Sequence, residues 1–99
     1  MRRLRVRSVA KAEIVAAFDW YLERSPGAAA RFLEAITQAI ERIQEAPERQ
    51  PVIRGRLRRV LLREFPYAVY YKVFPTTLSV VGVIHGHRHP GTWLGRAAP

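Results

Sequence analysis

Three histidines and an arginine fall within five consecutive positions near the end of the chain, in Ile84-His85-Gly86-His87-Arg88-His89-Pro90. An imidazole can take or give a proton near neutral pH, and a guanidinium can grip a phosphate or carboxylate. RNA cleavage needs a group to deprotonate a 2′-hydroxyl, positive charge at the scissile phosphate and an acid for the leaving oxygen. His85, His87 and His89, with Arg63 and Arg88, are groups of those kinds. The plain structural reading of His85 is a strand-end histidine bonded to backbone. The alternate spacing would also place three imidazoles on one face of a continuous strand, as a metal site requires. Gly86 and Pro90 interrupt such a strand, and no acidic residue stands by to orient the ligands. No metal and no cofactor are therefore expected.

A second cluster lies upstream, with Arg54, Arg56, Arg58, Arg59 and Arg63 in ten positions, followed by Lys72, and only Glu64 among them. Forked guanidiniums suit carboxylates and phosphates, so an acidic protein segment and nucleic acid are both candidate ligands. On one continuous strand Arg59 and Arg63 would share a face and Arg58 would take the other, so the cluster would not meet a single ligand as a whole. Tyr67, Tyr70 and Tyr71 could stack on bases. Their spacing also fits cross-strand pairs, with Tyr71 in the core and Tyr70 open to either reading.

The net charge of +9 is unevenly spread. Residues 12–48 carry three arginines against seven acids, a net of −4, while the rest of the chain carries +13. The positive charge thus belongs to the N-terminal arm and the second half, where it favours an anionic partner. The 99 residues fit one domain, 1–99, and 48% hydrophobic content fits a folded one. With no cysteine, disulfides and thiolate metal sites are excluded and a reducing cytosol is tolerated, so a cytoplasmic location is expected. No apolar run is long enough for a membrane span, and the basic start leads into no signal-type apolar segment.

The elements that must position these groups follow from periodicity. Arg3-Leu4-Arg5-Val6-Arg7 alternates basic and apolar residues, as a half-buried strand does. Ser8 is a candidate N-cap for a first helix whose stripe is Ile14, Phe18, Tyr21 and Leu22. Ser25-Pro26 starts a second helix, with Ala29, Phe32, Leu33, Ile36, Ala39, Ile40 and Ile43 on one face and Arg42 on the exposed face, ended by Pro47. One residue between the helices predicts a helical hairpin. Residues 47–57 read as a loop. Strands are predicted near Arg58–Phe65, over Tyr67–Phe74 and over Leu78–His85, with Pro66 at a strand start and Pro75-Thr76-Thr77 as a hairpin turn. The tail from Gly86 to Pro99 reads as irregular. The order β-α-α-β-β-β predicts an α+β, two-layer fold: a helical hairpin on a small, mainly antiparallel sheet, with the N-terminal strand at an edge.

Arg59-Val60-Leu61-Leu62-Arg63-Glu64-Phe65-Pro66-Tyr67-Ala68-Val69-Tyr70-Tyr71 resembles the "R-x-x-x-x-x-F-P-Y-x-I-x-Y" stretch of the ParE/RelE superfamily of bacterial toxins. Ile84 to Pro90 likewise resembles that superfamily's "hydrophobic-H-x-x-R-x-P" strand ending. The resemblance covers nearly the whole chain and leans to the ParE-like branch. It implies the toxin of a type II toxin–antitoxin pair, neutralised by a cognate antitoxin whose acidic C-terminal segment wraps it, with operator DNA contacted only through the antitoxin. ParE-like toxins are reported to poison DNA gyrase without enzymatic chemistry; RelE-like ones are ribosome-dependent mRNA endonucleases. For the second activity the candidates are Arg63, His85 and Arg88; the resemblance puts Arg58, Arg63 and Arg88 in regions comparable to those from which that branch draws its basic residues. That branch also uses a C-terminal Tyr, and here Trp93 is the aromatic residue of the tail. Gyrase inhibition is therefore the first expectation, mRNA cleavage the second and a non-toxic antitoxin-binding module the third. Residues expected to bind antitoxin or target are Arg56, Arg58, Arg59, Arg63, His87, Arg88 and Trp93.

Overall fold

The alternation at the N-terminus builds an edge strand. In the computed structural model, which describes residues 2–86, Arg3–Val6 forms β1, with Leu4 and Val6 against the core and Arg3 and Arg5 exposed. Arg7 remains extended because its N–H donates to the Val80 carbonyl (3.0 Å), while its own carbonyl accepts from Lys11 N–H. The turn into α1 (Ser8–Arg24) therefore falls at Arg7. Ser8, expected as the cap, is instead the first helical residue, and no side chain caps this end.

Ser25 is the whole link between α1 and α2 (Pro26–Glu45). Its N–H donates to the Tyr21 carbonyl, closing α1, and its Oγ accepts from Ala28 N–H (3.2 Å), capping α2. Pro26, which has no N–H to satisfy, occupies the first position. The α2 stripe buries Ala29, Phe32, Ile36, Ala39 and Ile43 as its periodicity predicts, with Ile40 packed beside them. The inner face of α1 is made by Ala10 and Ala17, flanked by Ile14, Phe18 and Tyr21. These small side chains let α1 lie close to the sheet, and they shift its stripe so that Leu22 is exposed; Leu33 of α2 is exposed as well.

The sheet contains β2 (Val52–Arg54), β3 (Leu57–Leu61), β4 (Tyr67–Val73) and β5 (Thr77–His85). Its order is β1-β5-β4-β3-β2, with β1 parallel to β5 and every other pair antiparallel. The N-terminal strand thus takes the edge position expected of it. Residues 47–57, expected as a loop, include β2. β-branched Val52 and Ile53 favour extended backbone, and Gly55, at φ 57°, supplies the left-handed turn that returns the chain to β3. β3 stops at Leu61 rather than reaching Phe65. Residues 63–66 form the link to β4, where Glu64 adopts φ 69° and Pro66 directly precedes the strand.

Both helices cover one face of the sheet, giving the α+β two-layer fold. An irregularity between Tyr70 and Tyr71 pairs Tyr70 with Gly82 and Tyr71 with Val80, leaving Val81 as the extra residue of a bulge. The phase change puts Val80 and Val83 together in the helix-side core, and Val81 and Ile84 together in a second cluster with Leu57, Ala68 and Tyr70. Tyr71 is core, as expected, with its hydroxyl donating to the Pro47 carbonyl (2.8 Å). Phe32, Phe65, Tyr67 and Tyr21 meet mostly edge-on at one end, with ring centroids 5.1–6.5 Å apart. Among the described residues no helix is long and apolar enough to cross a membrane.

Candidate functional site

The two layers separate charge. Seven of the eight acids lie on the helices or, for Glu48, in the loop just after α2, while the sheet carries the arginines of β1, β2 and β3 together with Lys72. β1 is short and half-buried, so Arg3, Arg5 and Arg7 alternate outward. Lys72 on β4 is buried beside Ser79, and burial, then the nearby Arg7 charge, hold its ammonium below the usual lysine range.

The candidate residues separate in space. Arg56 stands in the β2–β3 turn, its guanidinium 5.2 Å from the Phe74 ring centre and its Nη1 donating to the Val73 carbonyl. Arg58 points toward the helix side, where Nη1 donates to the Glu48 carbonyl (3.2 Å) and to that of Gln50. It ties the post-helix loop to the sheet. Arg59 is on the opposite face, its Nη1 3.5 Å from the Tyr70 hydroxyl oxygen. Because β3 ends at Leu61, Arg63 loses strand periodicity and does not share the Arg59 face. It turns to α2 instead, lining hollows with Arg31, Glu34 and Gln38 and with Glu41, Arg42 and Glu45. His85 ends β5 with its ring edge-on to Tyr67 at 5.1 Å. His87, Arg88, His89 and Trp93, and the tail expected to be irregular, lie outside the described residues.

Arg63 and His85 line separate hollows, so the described members of the ribonuclease set do not converge. The hollow at His85 encloses about 550 Å³ between α1 and the sheet, with Trp20, Tyr21, Tyr67 and Val83 as apolar walls and Glu13 at its side. Glu13 Oε1 accepts from Val83 N–H (2.9 Å), beyond the point where β1 stops covering β5. Burial, reinforced by Tyr67, pushes the Tyr21 phenol up. Trp20 at the rim is half exposed, with the Arg24 guanidinium stacked 3.7 Å from its ring centre. An apolar side chain of a partner fits this hollow. On the far side of the sheet, β2 is a short exposed edge showing Val52 and Ile53.

Two participants escaped the sequence reading. Arg42, expected on the exposed face of α2, is half-buried: Nη2 donates to the Leu61 carbonyl (3.1 Å), and its buried Nε has no partner. Burial, and then the charge of Arg63, lower its pKa. Glu13 serves the sheet from a helix. Neither role carries a local signal, because each depends on which strand passes beneath the helix.

A family model described as "ParE toxin of type II toxin-antitoxin system, parDE" matches residues 4–90. This chain belongs to the ParE toxin family. Its fold is similar to a solved structure titled "Chromosomal ParDE TA system from P. aeruginosa", with a TM-score of 0.75 and 18% identity over 86% of this chain and 96% of that one. No curated protein sequence matches the chain closely. Family membership makes a cognate antitoxin the partner of this ParE-family chain.

Proposed function

We propose that this ParE-family toxin inhibits DNA gyrase by binding it rather than by cutting RNA, and that a cognate antitoxin silences it with an acidic C-terminal segment. The observation that favours binding over cutting is the separation of Arg63 from His85, together with the engagement of Arg58 by loop carbonyls. Acid–base cleavage needs its groups within hydrogen-bond reach of one phosphodiester. For the antitoxin, the α1 hollow with Trp20 at its rim takes an apolar anchor, and Arg56 and Arg59 on the sheet layer take carboxylates. Such a segment folds as it binds.

Induced expression with and without antitoxin tests this reading, paired with a supercoiling assay on purified gyrase. Filamentation, a DNA-damage response and accumulation of cleaved plasmid are expected, all relieved by the antitoxin. Rapid translation arrest with cleaved mRNA would replace gyrase inhibition with endonuclease action, and normal growth would leave an antitoxin-binding module.

A further inference from the structure

We propose that the outer face of β1, with the adjoining β4–β5 turn, is a binding site for the phosphodiester backbone of single-stranded nucleic acid. Arg5, Arg7, Phe74, Thr77 and Ser79 line one hollow of about 340 Å³. The register explains the convergence: Arg5 sits opposite Ser79 across the parallel β1–β5 pair, and Ser79 sits opposite Lys72 across β4–β5. Arg3, Arg5 and Arg7 recur every second residue, so β1 carries a row of charges repeating at roughly 6.7 Å.

Neither Arg5 nor Arg7 makes a side-chain hydrogen bond or ion pair among the described residues, and both are exposed. No acid lines the hollow. Arg5 and Arg7, held at one hollow, repel, and an anion relieves that repulsion; beneath them the Lys72 ammonium is lowered first by burial and then by the Arg7 charge.

The chemistry around the charges selects the ligand. A phosphodiester offers two non-bridging oxygens to forked guanidiniums and to the Ser79 and Thr77 hydroxyls. Half-buried Phe74 lies beside them, held by Arg56, and gives an adjoining base a ring to stack on. Cations interleaved with an aromatic ring form the usual platform for single strands. A carboxylate peptide would use the arginines and leave the ring idle. The site needs neither antitoxin nor gyrase, so it stands or falls apart from the proposed function.

Fluorescence anisotropy of the full chain with a labelled 12-nucleotide single strand, over a salt series, tests it. Binding should be at least about fivefold tighter than to a duplex of equal length. Arg5→Gln with Arg7→Gln should weaken it by about tenfold or more and lower the salt slope by about 1.4, at roughly 0.7 per phosphate contact. Arg24→Gln with Arg31→Gln removes the same charge from the helix layer and should cost less than about threefold. If the double variant does not fold, Arg5→Gln alone should lower the slope by about 0.7. Equal losses in the two double variants would reduce the effect to net charge and overturn the proposal. So would equal affinity for duplex, or displacement by polyglutamate at the same charge concentration.

Discussion

Arg58 was a candidate contact for antitoxin or RNA, and its geometry makes it a structural tie. Its Nη1 donates to the Glu48 and Gln50 carbonyls, while the Tyr71 hydroxyl, one strand over in register, donates to the Pro47 carbonyl. Three bonds from two neighbouring side chains thus pin the segment leaving α2. A hydrogen bond from a charged group contributes about 1.5–3 kcal/mol, and a neutral one about 1. Arg58 is half-buried and partly screened, so Arg58→Ala should cost about 2 kcal/mol in all. At 4–8 °C per kcal/mol for a domain of this size, Tm should fall by about 10 °C. Tyr71→Phe should cost about 1–2 kcal/mol, because it leaves the Pro47 carbonyl unsatisfied. As both side chains hold one segment, the pair should depart from additivity by at least about 0.5 kcal/mol. Urea unfolding of the four proteins gives the cycle, and antitoxin titration of the folded Arg58→Ala variant should stay within about threefold of the parent. An unchanged Tm with antitoxin binding lost would show that Arg58 is a contact residue and that the tie is idle.

Glu64, at φ 69°, carries left-handed strain that glycine would not. Glu64→Gly should therefore raise stability by about 0.5 kcal/mol despite losing the exposed 4.0 Å pair with Arg31, and Gly55→Ala should lower it by about 1 kcal/mol; denaturant midpoints decide both. Burial raises the phenols of Tyr21 and Tyr71, although Arg58 pulls the latter down. The unfolded phenols ionise first, so their contribution is complete below pH 10.0, the ordinary value, and is lost as pH climbs through the folded values. Lys72 acts in the opposite sense: its folded ammonium deprotonates before the unfolded one, so its contribution rises as pH approaches 10.5. Phenolate absorbance should show two late-titrating tyrosines in the folded protein, one of which disappears in Tyr71→Phe. Arg59→Glu should weaken antitoxin binding and flatten its salt dependence, measured by calorimetry at two ionic strengths, whereas the same reversal at Lys11, exposed on α1 and away from both hollows, should change neither.

Periodic elements were legible. The α2 stripe from Ala29 to Ile43, the Ser25-Pro26 start and the strands ending at Val73 and His85 each repeat a pattern that local backbone geometry enforces. The arginine cluster was legible as a composition and, for Arg58 against Arg59, as an alternation. The opposite faces of Arg58 and Arg59 follow from strand alternation, but the turn of Arg63 away from the Arg59 face to an α2 hollow follows from β3 stopping at Leu61, and no local rule places that stop. Val52–Arg54 was missed because three residues in Pro- and Arg-rich surroundings carry too little alternation to register as a strand.

By itself, the sequence determined the α+β class, the helical hairpin and the placing of acids and bases in different segments. All of these depend on residues near one another in the chain. The tertiary structure alone decided which charges meet. Parallel pairing of β1 with β5 brings Arg5 and Arg7 to Ser79 and Lys72, about seventy residues away, and packing of α1 on β5 sends Glu13 to Val83. Such contacts depend on strand order and register, which the burial of apolar faces sets for the domain as a whole.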